Sequence, residues 1–353
     1  MTKPPPPAWS DVPPQDWGRR LTDAIRDALC ASDLAGARRL ALEGDGQARG
    51  LAKEYTLMFR GLAMTVRVLL RQVSGESRGG AEGSAVSLVR TFRVDFGACL
   101  DEVLDTEPPT PPAREMPDDE IEATCVLLDQ AQARFARAHE AAAQAFITAL
   151  DRGEIDRAVT ILDRKESRQY VALHDRLVIF MARVFEWVLE LRGEGGLLEF
   201  HLATAEAMRA GFAKWEALSP QEFAWTTAFL LKQHMGEVAV EETAERFTFR
   251  QRLCGSGGRL RTSGAYEGVG SLPFVVSPGP LTLGLPRLPV YCTHCPAWNG
   301  VAPLRWFGRP QWVFEKPAQP DGSCTMHIYK DRDGTPAEYV RRLRFHPPQR
   351  PSR

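Results

Sequence analysis

The sequence predicts an α+β chain, with duplicated all-α helical units followed by a small Cys-rich antiparallel β segment carrying a zinc-ribbon-like metal site. Three observations predict it. Apolar residues recur at helical spacing from Asp16 to about His234. After Glu241 the period changes to two, with Phe247, Phe249, Gln251 and Leu253 alternating with Arg246, Thr248, Arg250 and Arg252. Four of the seven cysteines, Cys254, Cys292, Cys295 and Cys324, fall in that last segment.

The elements follow in order. Residues 1–14 form a Pro-rich tail. Residues 15–104 form a first helical unit, in which Leu21, Ile25, Ala28 and Leu29 share one face. Asp33 marks the turn into a second helix, and a long helix is expected from about Ala48 to Val73. A Gly/Ser break at 74–83 separates it from a helix reaching about Val103. Residues 105–119 hold five prolines and no apolar period, so they read as a linker. A second helical unit occupies 120–242, with helices to about Leu150, from Glu154 to Asp163, from Glu166 to Leu191, from Leu197 to Ala217, and from Pro220 to about His234. The Cys-rich β segment spans 243–345, with further strands expected at Leu288–Cys292, Gln311–Glu315 and Thr325–Lys330, and 346–353 is a tail.

The two helical units read as copies. Ala24, Ala28, Leu29, Asp33, Leu34 and Ala37 align with Ala145, Ala149, Leu150, Glu154, Ile155 and Ala158 at a constant offset of 121 (24 to 145, 33 to 154). Asp45 then meets Glu166, Glu54 meets Asp175, and Phe59 meets Phe180. The copies differ in histidine. The first has none, whereas the second and its continuation carry His139, His174, His201 and His234. A site kept by one copy is therefore expected in the second.

Composition excludes several classes. With 44% hydrophobic and 25% charged residues the chain has an ordinary globular balance. A net charge of −1 provides no bulk basic field for nucleic acid or an anionic membrane surface. The longest apolar run, Leu177–Leu191, contains Arg183, Glu186 and Glu190 and is shorter than a bilayer span. The N-terminus, Met1-Thr2-Lys3 followed by four prolines, lacks the apolar core of a secretion signal. A cytoplasmic chain with reduced thiols is expected, and the Ala/Arg/Pro-rich composition suggests a GC-rich bacterial genome.

The cysteines carry the sharpest chemistry. Cys292-Thr293-His294-Cys295 can aim two sulfurs at one point. Cys254 ends a strand, and Cys324 opens another after the Asp321-Gly322 turn. Four thiolates suit tetrahedral Zn²⁺, either as a structural ion or as a catalytic one with an open position. His294 or His327 could replace a cysteine, and the cysteines could equally hold no metal. The glycines of Cys254-Gly255-Ser256-Gly257-Gly258-Arg259-Leu260 could cradle an anion, but no helical pattern follows them. Backbone crowding around thiolates is the better reading of that run.

A lone histidine on a helix is more often packing than chemistry. Still, His174 beside Asp175, together with His234, could supply an acid–base group or a ligand. His234 and Glu237 would share a face if the helix persisted that far. Arg259 could bind a substrate carboxylate, and Arg341, Arg342 and Arg344 read as a solvated face.

The string Cys254–Leu260, followed by Tyr291–Cys295 and by Cys324 with Ile328–Asp331, resembles a functionally unassigned bacterial family with a helical body and a Cys-rich tail. More distantly it is similar to the L-2-amino-thiazoline-4-carboxylate hydrolase-like proteins, over the C-terminal segment only. The N-terminal copy and the Cys292–Cys295 turn depart from that pattern. The resemblance implies small-molecule chemistry and carries over no catalytic residue.

The expectation is a bacterial small-molecule enzyme, hydrolase- or lyase-like, with a structural zinc and a cleft between the second helical unit and the Cys-rich segment. His174, His234 and Arg259 would line that cleft. The alternative is a non-enzymatic, zinc-stabilised helical scaffold that docks a partner protein.

Overall fold

Caps and left-handed turns set where the helices start. The computed structural model describes residues 11–77, 82–104 and 119–344, so the Pro-rich tail up to Ser10, the linker at 105–118 and the C-terminal tail lie outside the described residues. The helices in chain order are α1 (Leu21–Cys30), α2 (Leu34–Glu43), α3 (Thr56–Ser77), α4 (Glu82–Val103), α5 (Glu120–Asp151), α6 (Ile155–Asp163), α7 (Ala172–Ala207), α8 (Arg209–Glu216) and α9 (Pro220–Gln233). Asp33 caps α2 by accepting from the Gly36 N–H at 2.8 Å, and Asp119 caps α5 by accepting from Ile121 and Glu122.

The α1–α2 and α5–α6 hairpins repeat one turn geometry at the offset of 121. Ser32 (φ 59) and Gly153 (φ 70) are both left-handed. The next amides reach back alike, Asp33 N–H to Ala28 O at 2.8 Å and Glu154 N–H to Ala149 O at 2.9 Å. Equivalent positions share one core. Ile25, Leu29, Ala37 and Ala41 are buried together with Phe146, Leu150, Ala158 and Leu162. Each large apolar side chain buried this way contributes about 1.5–3 kcal/mol.

Beyond the hairpins the copies diverge. The helix expected from Ala48 starts only at Thr56. Gly44, Gly46 and Gly50 adopt positive φ, and the Asp45 carboxylate accepts from the Gln47 and Ala48 amides. A Cβ on Gly50 would sit 2.5 Å from Leu42 O, so this loop closes against α2. The matching stretch of the second copy, Arg164–Val171, is a π-helical turn running into α7. No helix among the described residues is long and apolar enough to cross a membrane.

The described residues divide into two compact units. The first comprises those up to Met181 with Phe229–Met235, and the second comprises Ala182–Ala228 with those from Gly236 onward. Stacked rings fill the first, with Phe59 on Phe135 at 4.4 Å, Phe92 on Phe180 at 4.0 Å and Tyr55 on Tyr170 at 4.3 Å.

The second unit contains an antiparallel sheet of β1 (Glu237–Glu242), β2 (Arg246–Leu253), β5 (Val313–Lys316) and β6 (Cys324–Tyr329), in the order β1-β2-β6-β5. Two short strands, β3 (Phe274–Val275) and β4 (Leu288–Pro289), pair separately. The alternation in β2 buries Phe247 and Phe249 opposite Ile328 and Met326, as period two requires.

Three expectations need correction here. β1 occupies residues assigned to the helical unit, because α9 ends at Gln233 and Met235 turns left-handed. Glu237 therefore opens a strand and does not share a helical face with His234. The strand expected at Leu288–Cys292 stops at Pro289, and the chain continues through helical turns from Val290 to Phe307. A short helix, α10 (Gly257–Thr262), does follow the glycine run.

Candidate functional sites

Two separate sites emerge, one in each unit. In the second unit, pairing brings two of the four candidate cysteines near one another. Cys324 is the first residue of β6, opposite Gln251 of β2, and Cys254 follows β2 directly. The Cys254 amide donates to Gly322 O at 3.0 Å. Cys292 and Cys295 are three apart in a helical turn, which puts both on one side of it.

The four thiols sense one another electrostatically. Burial pushes Cys292 up to about 12, with the Arg261 guanidinium opposing. Burial and the neighbouring Cys254 push Cys324 up to about 12 as well. Cys295 is raised as well, by burial and then by Cys292, Cys254 and Cys324. Without a cation the Cys292, Cys295 and Cys324 thiols stay protonated at neutral pH. Among the described residues, no group of three or more His, Cys, Asp or Glu side chains is disposed to hold a metal ion.

The glycine run is shaped by this crowding. A Cβ on Gly257 would lie 2.8 Å from Cys292 Sγ. One on Gly258 would lie 2.6 Å from Gly322 O and 3.0 Å from Cys254 Cβ. The backbone carbonyl leaves Gly258 no room for a Cβ, whereas at Gly257 the Cys292 sulfur would have to shift. The cation beside the sulfurs is Arg261, whose Nη1 donates to Cys292 Sγ at 3.2 Å while Nε donates to Gln319 O at 3.1 Å. Arg259, the arginine expected to bind substrate, sits two residues earlier in α10.

The two alternative ligands separate. His294 donates from Nδ1 to Tyr291 O, and its Nε2 lies 3.5 Å from Cys295 Sγ. Burial lowers it to about 4, so the ring is neutral. His327 is engaged elsewhere, between Thr248 Oγ1 at 3.1 Å and Glu315 Oε2 at 3.1 Å. His201 of α7 meets Thr293 Oγ1 at 2.9 Å and packs edge-on against Phe185.

In the first unit, the structure brings His174 and His234 together from sixty positions apart in the chain. His174 Nδ1 is 2.7 Å from Asp175 Oδ1, and its Nε2 is 2.8 Å from His234 Nδ1. An ionised carboxylate only accepts, so His174 Nδ1 carries a proton. With both rings neutral, His174 Nε2 then accepts from His234 Nδ1–H, leaving His234 Nε2 as the basic nitrogen. His174 is fully buried and His234 half-buried.

Sequence reasoning missed a second polar group in this unit. Lys165, Glu166 and Glu54 are all buried. Lys165 Nζ donates to Glu54 Oε2 at 3.4 Å, and Arg26 donates to Glu166 Oε2 at 2.7 Å. The Tyr55 and Thr22 hydroxyls both donate to Glu166 Oε1. Burial raises Glu54 and lowers Lys165, each partner opposing the shift in the other. His139 is fully buried against Phe135, and its ring nitrogens find no hydrogen-bond partner of good geometry among the described residues. The available signal is Lys165, Glu166 and Gln169 on the same buried face as Tyr170, opposite the exposed Arg164, Ser167 and Arg168.

Comparison with protein-family models, curated proteins and solved structures returns no match.

Proposed function

We propose that the chain is a small-molecule enzyme, hydrolase- or lyase-like, whose acid–base group is His234 oriented by His174 and Asp175. The observation that carries this reading is the Asp175–His174–His234 hydrogen-bond chain, with links of 2.7 and 2.8 Å. A carboxylate that fixes one imidazole, which fixes a second, raises the basicity of the last nitrogen and selects its tautomer. His234 Nε2 then takes a proton from a substrate or a bound water, and the positive charge that develops is shared with His174 and balanced by Asp175.

The same reading gives the second unit one structural Zn²⁺ on Cys254, Cys292, Cys295 and Cys324. Support comes from three thiols, Cys292, Cys295 and Cys324, that burial and neighbouring sulfurs hold above the ordinary value, from glycines crowded against Cys292 and Cys254, and from an arginine donating to Cys292. The four cysteines would hold the ion as thiolates, having given up their protons. Arg261 would then offset part of the surplus negative charge of four thiolates.

Two measurements test the halves separately. A cell extract incubated with native protein and with His234→Asn is compared by untargeted mass spectrometry. Depletion of a metabolite by the native protein alone is expected, and identical profiles overturn the enzyme reading. Elemental analysis is expected to find one zinc per chain, lost in Cys292→Ser with a lower melting temperature. Metal content and melting temperature both unchanged in that variant overturn the zinc reading.

A further inference from the structure

The second unit also contains a pocket of about 650 Å³, well within the usual range for small-molecule sites. One wall is the loop Ser277–Gly284 and another is the stretch Glu194–Leu198 of α7. The third carries Arg341, Arg342 and Arg344, from a short helix at Ala337–Arg342 and the residues just after it.

The loop wall is preorganised. Thr282 Oγ1 accepts from the Gly279 amide at 2.9 Å and donates to Ser277 O at 3.0 Å. The Gly284 amide closes the loop onto Gly279 O at 3.0 Å. Pro278 and Pro280 stiffen it further. Glu194 Oε1 accepts from the Val276 amide at 3.3 Å and ties the loop to α7. Leu198, Leu281 and the two prolines give the pocket an apolar lining.

Charge in the pocket is one-sided. Three guanidinium groups face one carboxylate, Glu194, which is already engaged with the loop. Among the described residues none of the three arginines forms an ion pair, and Arg342 instead lies over the Tyr339 ring at 5.1 Å. Elsewhere in this unit arginines do find carboxylates, as Arg309 does with Glu216 and Asp333. Unpaired guanidinium groups beside an apolar cavity suit a ligand with a planar anionic head and an apolar body.

We infer that this pocket binds a small organic anion, a carboxylate or phosphate ester, with its head on Arg341, Arg342 and Arg344 and its body against Leu198 and Leu281. This inference stands apart from the metal site and the histidine pair and goes beyond the proposed reaction.

The test titrates the full chain with 8-anilinonaphthalene-1-sulfonate, an apolar body with an anionic head, followed by fluorescence and calorimetry. Saturable one-to-one binding is expected, weakened at least tenfold in Arg341→Gln/Arg342→Gln/Arg344→Gln and unchanged in the control Arg305→Gln. Leu198→Ala should weaken it as well, and inorganic phosphate should compete only at high concentration. All four substituted arginines are exposed, so the variants should keep the native circular dichroism and melting temperature. Absence of saturable binding, or equal binding by the triple variant, overturns the inference. Binding of an acidic peptide or nucleic acid in preference to the small probe overturns it too.

Discussion

The buried Lys165–Glu54 pair makes a quantitative claim about the first unit. Both side chains are fully excluded from water, with Nζ and Oε2 3.4 Å apart. Glu54→Gln keeps the volume and an acceptor oxygen but removes the charge. Lys165 can then stay charged without its partner, at about 3–5 kcal/mol for a broken buried pair. Or it can lose its proton, which at neutral pH costs about 5 kcal/mol from an ordinary lysine pKa of 10.5. Glu166 remains close to Lys165 and offsets part of either penalty, so the lower end, about 3 kcal/mol, is expected. For a unit of this size that corresponds to a melting temperature lower by roughly 6–12 °C.

The double variant Glu54→Leu/Lys165→Met separates pairing from packing. It removes both charges and keeps the volume, so its stability should lie within about 1 kcal/mol of native, or above it. Glu166 keeps its bonds from Arg26, Tyr55 and Thr22 in that background. Guanidinium denaturation followed by circular dichroism reads both variants, with coupling taken from the full mutant cycle. A Glu54→Gln cost below about 0.5 kcal/mol, or a double variant as unstable as the two single ones added, would refute the buried-pair reasoning.

Four further outcomes follow from the structure. Burial holds His139 and His201 below the ordinary imidazole value of 6.5, so beneath that pH the unfolded chain takes up protons that the folded chain refuses. Stability should be full above about pH 6.5 and fall on acidification by up to about 1.4 kcal/mol per pH unit for each ring, and His139→Met should remove one ring's share in a melting-temperature profile against pH. Gly258→Ala drives a Cβ to 2.6 Å from the Gly322 carbonyl, a backbone atom that cannot swing aside, and should cost about 2 kcal/mol or more by denaturation. Gly300→Ala meets only the Leu343 side chain, which can rotate, and should cost less than about 1 kcal/mol. If zinc is bound as proposed, Gly257→Ala crowds Cys292 Sγ and should weaken retention against a chelator about tenfold or more.

Where local pattern and tertiary packing agree, the sequence is readable. The α1–α2 and α5–α6 hairpins show through apolar spacing and through the acidic residues Asp33 and Glu154 at the two N-cap positions, of which Asp33 caps its helix, and their shared left-handed residue explains why the alignment holds without gaps. β2 shows through strict alternation, because one face packs on Met326 and Ile328. The region after Cys292 fails for a physical reason. Pro296, Gly300 and Pro303 read as strand-breaking loop signals, yet proline is tolerated in the first turn of a helix and Gly300 leaves room for Leu343. β1 fails because six residues with two valines carry little period, and its pairing with β2 supplies what the local pattern lacks.

The polar residues that matter most sit where the pattern is broken. Lys165, Glu166 and Gln169 occupy buried positions of a helical run that should be apolar, and the chain there adopts a π-helical turn. Such a turn adds a residue to the helical register, and insertions of this kind recur at functional positions. At the offset of 121 the first helical unit has instead the Gly44–Gly50 loop, which supplies Asp45 to Lys232 at 3.2 Å. Local propensity reads neither, because each depends on partners more than a hundred residues away, Glu54 for Lys165 and Lys232 for Asp45. The His174–His234 contact belongs to the same class. Each ring alone looks like packing, and only the return of the chain at His234 to the first turn of α7 turns two ordinary histidines into a hydrogen-bonded chain ending on Asp175.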